Sequence, residues 1–190
     1  MAQQYTRKAI RETFIQMISV QPLDKVTVKD IVTACQINRN TFYYYYQDIY
    51  AILDEIFQSE IQKVIEEYND TLSWEDGCLL ACRFAINNRK AIYNIYNSIQ
   101  KDQLERYIYS VSGQVMERFV ANKAIGISAA PSDIKLIAAF YQSALTAMVL
   151  NWIGGGMKQE PQQVIQRIGR LFDGNIDASL RRSAQLNDKW

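Results

Sequence analysis

The 190-residue chain is 48% hydrophobic and 12% aromatic, enough apolar mass to bury a sizeable core and too much for a disordered chain. A net charge of +1, no histidine and three cysteines argue against a strongly basic protein, a histidine-based catalytic or metal centre and a disulfide framework. The charge is uneven: residues 1–50 hold six Lys/Arg and four Asp/Glu, and the rest hold fifteen and sixteen. A small head with that balance is compatible with nucleic-acid binding and does not require it.

Three prolines and eight glycines leave few breaks, which favours long helices. From Tyr5 to Val20, Ala9, Ile10, Phe14, Met17 and Ile18 recur at helical spacing, and Pro22 and Asp24 mark a break. Thr27 and Asp30 have capping-box spacing, with Val26 as the staple; Val28, Ile31, Val32 and Cys35 give the second helix one apolar side. Asn38 is a good N-cap for a third helix to about Tyr46, and Asp48 opens a fourth whose stripe runs from Ile49 to Tyr68. Ser73 with Asp76 caps the next helix, "NNRK" breaks it, and a further helix spans about Leu104–Asn122. Ser132 or Asp133 caps an apolar helix that runs to Trp152 and stops at Gly154–Gly156. Pro161 suits the first turn of a last helix through about Leu180, after which the tail is expected to fray. No run reads as a strand, so the expected fold is all-α.

The start "MAQQYTRKAI" turns amphipathic at once, which predicts no secretory leader. The apolar stretch "IKLIAAFYQSALTAMVLNWIGGG" is interrupted by Gln142, Ser143, Thr146 and Asn151, and reads as a buried helix rather than a membrane span. Cys35, Cys78 and Cys82 read as small apolar residues in a reducing cytoplasm. No phosphate-binding glycine motif and no paired carboxylates appear, so neither an enzyme nor a cofactor is expected.

Two short helices, a tight turn and a third helix with polar side chains describe a helix-turn-helix. Its third helix carries the run "TFYYYY". At about 100° per residue, Phe42 and Tyr46 face the core, Tyr44 lies nearly opposite, and Tyr43 and Tyr45 take the shoulders. Phenol hydroxyls donate to phosphate oxygens and rings can lie on sugar or thymine methyls, although a shoulder tyrosine can instead pack on the next helix. Arg39, Asn40 and Thr41 are candidates for base edges; Thr27, Lys29, Tyr43, Tyr44 and Tyr45 are candidates for the backbone.

The span "LDKVTVKDIVTACQINRNTFYYYYQDIYAIL" resembles the DNA-binding domain of the TetR family of bacterial transcriptional regulators. Thr27, Ile31, Ile37, Thr41, Phe42 and Tyr43 match its pattern, with Tyr46 standing for the family phenylalanine. "TFYYYYQDIY" is further similar to regulators of dihydroxyacetone kinase operons. Three positions depart: Gln36 replaces the turn glycine, so Gln36 or Asn38 must bend left-handed; Tyr45 replaces a histidine; Ile49 replaces the lysine that opens helix four.

The resemblance implies a DNA-binding domain over residues 1–50 and a helical effector and dimerisation domain over 51–190. It implies a repressor that binds double-stranded operator DNA as a homodimer, with a small-molecule effector or protein co-regulator. It places the dimer interface on the last two long helices, with Leu145, Met148, Val149, Trp152, Ile165, Ile168 and Phe172 as candidates. Ile176 shares that stripe, and burial within one protomer is the competing account of these residues. For an effector, Phe84, Tyr93, Tyr96, Tyr107, Phe119, Tyr141 and Gln142 are candidates, with Trp152 and Arg83 beside them; core packing explains the same residues. The competing function is a helical co-regulator that has lost DNA binding, which Ile49 and the near-neutral head favour.

Overall fold

The computed structural model describes residues 2–67 and 73–187; Tyr68, Asp70 and the last three tail residues lie outside that range. All regular structure among the described residues is helical: α1 (Ala2–Val20), α2 (Val28–Ala34), α3 (Arg39–Tyr45), α4 (Ile49–Glu67), α5 (Trp74–Asn87), α6 (Arg89–Tyr96), α7 (Lys101–Lys123), α8 (Pro131–Gly154), α9 (Pro161–Leu171) and α10 (Asn175–Asn187).

The starts of four helices follow from local chemistry. The Asp30 amide donates to Thr27 Oγ1 (3.2 Å) and the Thr27 amide donates to Asp30 Oδ2 (3.0 Å), closing the capping box of α2. Asn38 Oδ1 accepts from the Thr41 amide at 2.7 Å, and Asp48 Oδ1 accepts from the Ala51 amide at 2.8 Å. Ser73 and Asp76 repeat the reciprocal pair at 3.1 and 3.2 Å. Each bond satisfies an amide that has no partner within its own helix. The end of α2 is a Schellman turn: the Ile37 amide donates to Val32 O (3.0 Å) and the Gln36 amide to Thr33 O (3.2 Å). Gln36 takes the left-handed position at φ 54°, in the place where the resemblance leads one to expect glycine. A side chain there costs roughly 1–2 kcal/mol.

The chain forms two compact units. One takes residues up to Glu60 together with Phe84–Tyr107. In it α1 packs on α2 and α6, and α2 on α3. Ile10, Phe14, Leu23, Ile31, Phe42 and Ile52 are fully buried. Asn94 of α6 donates to Ile18 O (2.7 Å) and occupies a carbonyl at the end of α1. Glu55 of α4 accepts from Arg7 Nε (3.0 Å) and pairs with Arg11 (3.4 Å), both on α1.

The other unit takes Ile61–Arg83 and everything from Ile108 onward. Its core joins Cys78 and Cys82 of α5, Met116 and Val120 of α7, Ala138 and Leu145 of α8, Ile165 of α9, and Ile176 and Leu180 of α10. Ser183 donates to Asp133 Oδ2 (2.6 Å) and accepts from the Ala130 amide (3.0 Å), tying α10 to the start of α8.

Four expectations are corrected. The helix expected from Pro161 to Leu180 is two helices: α9 ends at Leu171, and Gly174 at φ 71° turns the chain into α10. The expected frayed tail is helical to Asn187, because buried Ser183 anchors it. α8 begins at Pro131 without a side-chain cap, since Asp133 is engaged by Ser183. Finally, α8 is not a buried helix: it is long and apolar enough to cross a membrane, yet only 22% of that window is buried within the chain. Leu136 and Phe140 are both 68% exposed on it.

Candidate nucleic-acid interface

The aromatic run divides by position. Phe42 is fully buried, Tyr44 is 70% exposed and Tyr43 is 55% exposed. Tyr45 is half-buried with its ring edge-on to Tyr44, centroids 5.0 Å apart. Tyr46, one residue past α3, is buried beside Arg7, whose guanidinium lies 6.0 Å from its ring centre. Its hydroxyl lies beside the Arg7 guanidinium and the Glu55 carboxylate. Burial, with the Glu55 carboxylate as the next cause, pushes that phenol up to about 12, so it stays neutral at physiological pH.

Arg39 and Asn40 are exposed in the first turn of α3. Thr41 is half-buried, and its hydroxyl donates to Asn38 Oδ1 (3.0 Å), so the side chain serves the cap. Thr27 is likewise engaged: its hydroxyl donates to Asp30 Oδ2 at 2.6 Å. Those bonds from Thr27 hold the Asp30 carboxyl below its ordinary range. Lys29 is exposed in the first turn of α2. Ile49 is 8% exposed, so the position where the resemblance leads one to expect a lysine is packed inward.

Away from the head, the sequence candidates fall in both units. Phe84, Tyr93, Tyr96 and Tyr107 belong to the first. Tyr107 stacks on Phe57 at 4.6 Å, Phe84 meets both rings edge-on, and the Tyr96 ring lies 4.7 Å from the Lys101 ammonium. Tyr93 is 43% exposed. Phe119, Tyr141 and Gln142 belong to the second unit, where Phe119 and Tyr141 pack on the core and Gln142 donates to Tyr109 O (2.9 Å). Exposed Arg83 pairs with Glu67 at 3.0 Å. Of the interface candidates, Leu145, Met148, Val149, Trp152, Ile165 and Ile168 line a cleft in the second unit, and Phe172 is 51% exposed. Sequence reasoning missed the exposed Leu136 and Phe140; their spacing of four in an apolar run was the available signal.

Two family models match. One described as "Bacterial regulatory proteins, tetR family" covers residues 10–56, and one described as "Transcriptional regulator C-terminal region" covers residues 72–174, over half of the chain. The chain belongs to the TetR family of bacterial transcriptional regulators. Members of this family are transcriptional regulators, and the head described above matches their N-terminal helix-turn-helix domain. A curated relative, the HTH-type dhaKLM operon transcriptional activator DhaS of Lactococcus lactis subsp. lactis (strain IL1403), is 29% identical over 84 residues. That match covers 44% of this chain and 45% of the relative, less than half the length of each. The solved structure of a dihydroxyacetone kinase operon activator DhaS shares the fold, with a TM-score of 0.76 over 91% of this chain and 97% of that one at 20% identity.

Proposed function

We propose that this TetR-family chain is a sequence-specific DNA-binding regulator that grips a near-palindromic operator as a homodimer and acts in the cytoplasm. Residues 1–50 form the DNA-binding domain and 51–190 the effector and dimerisation domain. The observation that carries the DNA reading is the exposed face of α2 and α3: Lys29, Arg39, Asn40, Tyr43 and Tyr44 all face solvent while Phe42 and Tyr46 hold the helix to the core. Arg39 reads a base edge, with Asn40 and Thr41 beside it; Thr27, Lys29, Tyr43, Tyr44 and Tyr45 set the register on phosphates. The uncovered face of α8 supports the dimer, and a second copy covers Leu136, Phe140 and Met148. A small ligand or a partner protein changes the separation of the two heads.

The resemblance implies repression, whereas both named relatives are activators. A reporter fused to the neighbouring promoter, with and without the gene, decides the sign. The buried Ile49 favours the second reading, a co-regulator without DNA binding. A gel shift with the DNA flanking the protein's own gene separates the two. A sequence-dependent shift supports the regulator; no shift on any flanking fragment supports the co-regulator.

A further inference from the structure

The second unit holds an open cleft of about 330 Å³, a size that suits a small ligand. Its lining grades with depth. Cys78, Cys82, Leu145 and Ile165 are buried at the floor; Val149, Trp152, Val164 and Ile168 are half-buried walls; Asn151 and Gln159 are exposed at the rim. None of the lining residues is Lys, Arg, Asp or Glu. A charged guest finds no countercharge among those residues, whereas an uncharged apolar one needs none. The two thiols fit that character, because burial pushes the Cys82 thiol up to about 12 and the Cys78 thiol further, leaving both neutral.

The cleft walls are held in place. Trp152 Nε1 donates to Gln159 O at 2.8 Å, so the indole is pinned across the loop that joins α8 to α9. That loop is anchored by buried Met157, whose amide donates to Trp152 O at 2.8 Å. α9 comes close to α5 at Gly169, where a Cβ would collide with the Glu75 carboxylate.

We propose that this cleft binds an uncharged, mainly apolar, ring-bearing small molecule, its ring against Trp152 and a polar group at the Asn151 and Gln159 amides. The idea deepens the effector half of the proposed function and depends on it for its regulatory meaning alone. Trp152 and Met148 lie on α8, so a guest acts on the helix that the proposed second copy covers.

The test titrates N-phenyl-1-naphthylamine, an uncharged fluorescent probe, into the full chain, Val164→Trp (which fills the cleft) and Val164→Ala (which leaves it open). The expected result is saturable binding of one probe per chain, weakened about tenfold or more by Val164→Trp and kept by Val164→Ala. Circular dichroism reports whether each variant is folded. In the wild type, bound probe slows alkylation of Cys78 and Cys82 by N-ethylmaleimide and leaves Cys35 in the other unit unchanged; this readout stands even where Val164→Trp does not fold. The anionic 8-anilinonaphthalene-1-sulfonate binds more weakly than the neutral probe. Absence of saturation, full affinity in folded Val164→Trp, or equal protection of all three cysteines overturns the proposal. Binding confined to a monomeric variant also overturns it, since the cleft is then a contact between copies. Failure here with the operator shift intact sinks the cleft alone; the reverse pattern sinks the DNA-binding reading alone.

Discussion

Two surfaces of this molecule expose large non-polar side chains, and they differ in kind. On α3, Tyr43 and Tyr44 are exposed beside Arg39 and Asn40, so each ring carries a hydroxyl and the neighbours are polar. On α8, Leu136 and Phe140 are more exposed than Tyr43 and offer only hydrocarbon. Water solvates a phenol edge and a guanidinium readily, so the first surface is stable in the free protein and suited to a hydrated polyanion. The second loses free energy in water at roughly 25 cal/mol per Å² of apolar area, which a second apolar face would recover. Exposure alone therefore identifies neither surface; the polar atoms at the ends of the side chains do.

The sharpest way to break that contrast is to put a charge on the hydrocarbon face. Phe140→Asp buries an unpaired carboxylate in the proposed dimer, which becomes monomer by size-exclusion with light scattering. Losing the second head then weakens operator binding by about 10²- to 10⁴-fold, while the circular dichroism spectrum is unchanged. A dimeric Phe140→Asp that binds normally would place the interface elsewhere.

Next in size is Arg39→Ala, expected to cost about 1–3 kcal/mol on the operator and to relax preference at one base pair per half-site. Equal losses on operator and random DNA in a gel-shift titration would remove Arg39 from base readout. Tyr44→Phe keeps the ring and removes one hydroxyl. It should weaken binding on any sequence by about 0.5–1.5 kcal/mol, and an unchanged affinity would leave the ring alone against the DNA. Lys29→Ala should flatten the log–log salt dependence by about 0.9 for each phosphate it no longer neutralises, twice over in a dimer. An unchanged salt slope would place Lys29 away from the backbone.

The smallest effect concerns stability. Tyr46 titrates near 10 in the unfolded chain and at about 12 in the folded one, so between those values the unfolded state sheds a proton that the fold retains. Stability from this group is present below pH 10 and lost as pH rises toward 12. Tyr46→Phe removes that loss, so its stability in urea relative to the wild type should be higher at pH 11 than at pH 7. A stability difference that is the same at both values would show that this phenol does not titrate differently in the two states.

Where the chain was readable, a short-range group decided the backbone. Thr27 with Asp30, Asn38, Asp48 and Ser73 with Asp76 all lie within three residues of the amides they satisfy, and the turn after α2 puts Gln36 in the left-handed position. Where it was not, distant partners decided. Ser132 or Asp133 was expected to cap α8, but Ser183, fifty residues beyond Asp133, takes the Asp133 carboxylate. The apolar period Ile165, Ile168, Phe172, Ile176 runs straight through the break at Gly174, so periodicity hid the division between α9 and α10. The head's division of tyrosines was legible because 3.6 residues per turn fixes it. The cleft was not, because its lining comes from three segments whose meeting no local pattern records.

Function in this reading rests on two chains holding two half-sites through the tyrosine-bearing heads. Its most direct test is mass photometry of the wild-type protein on duplexes carrying both half-sites, one half-site or neither, at a protein concentration near the dissociation constant. Two chains per duplex are expected on the full site, with binding weaker by at least about a hundredfold when one half-site is scrambled. Single chains bound with equal affinity to the full and half-sites, or equal occupancy of all three duplexes, would contradict it.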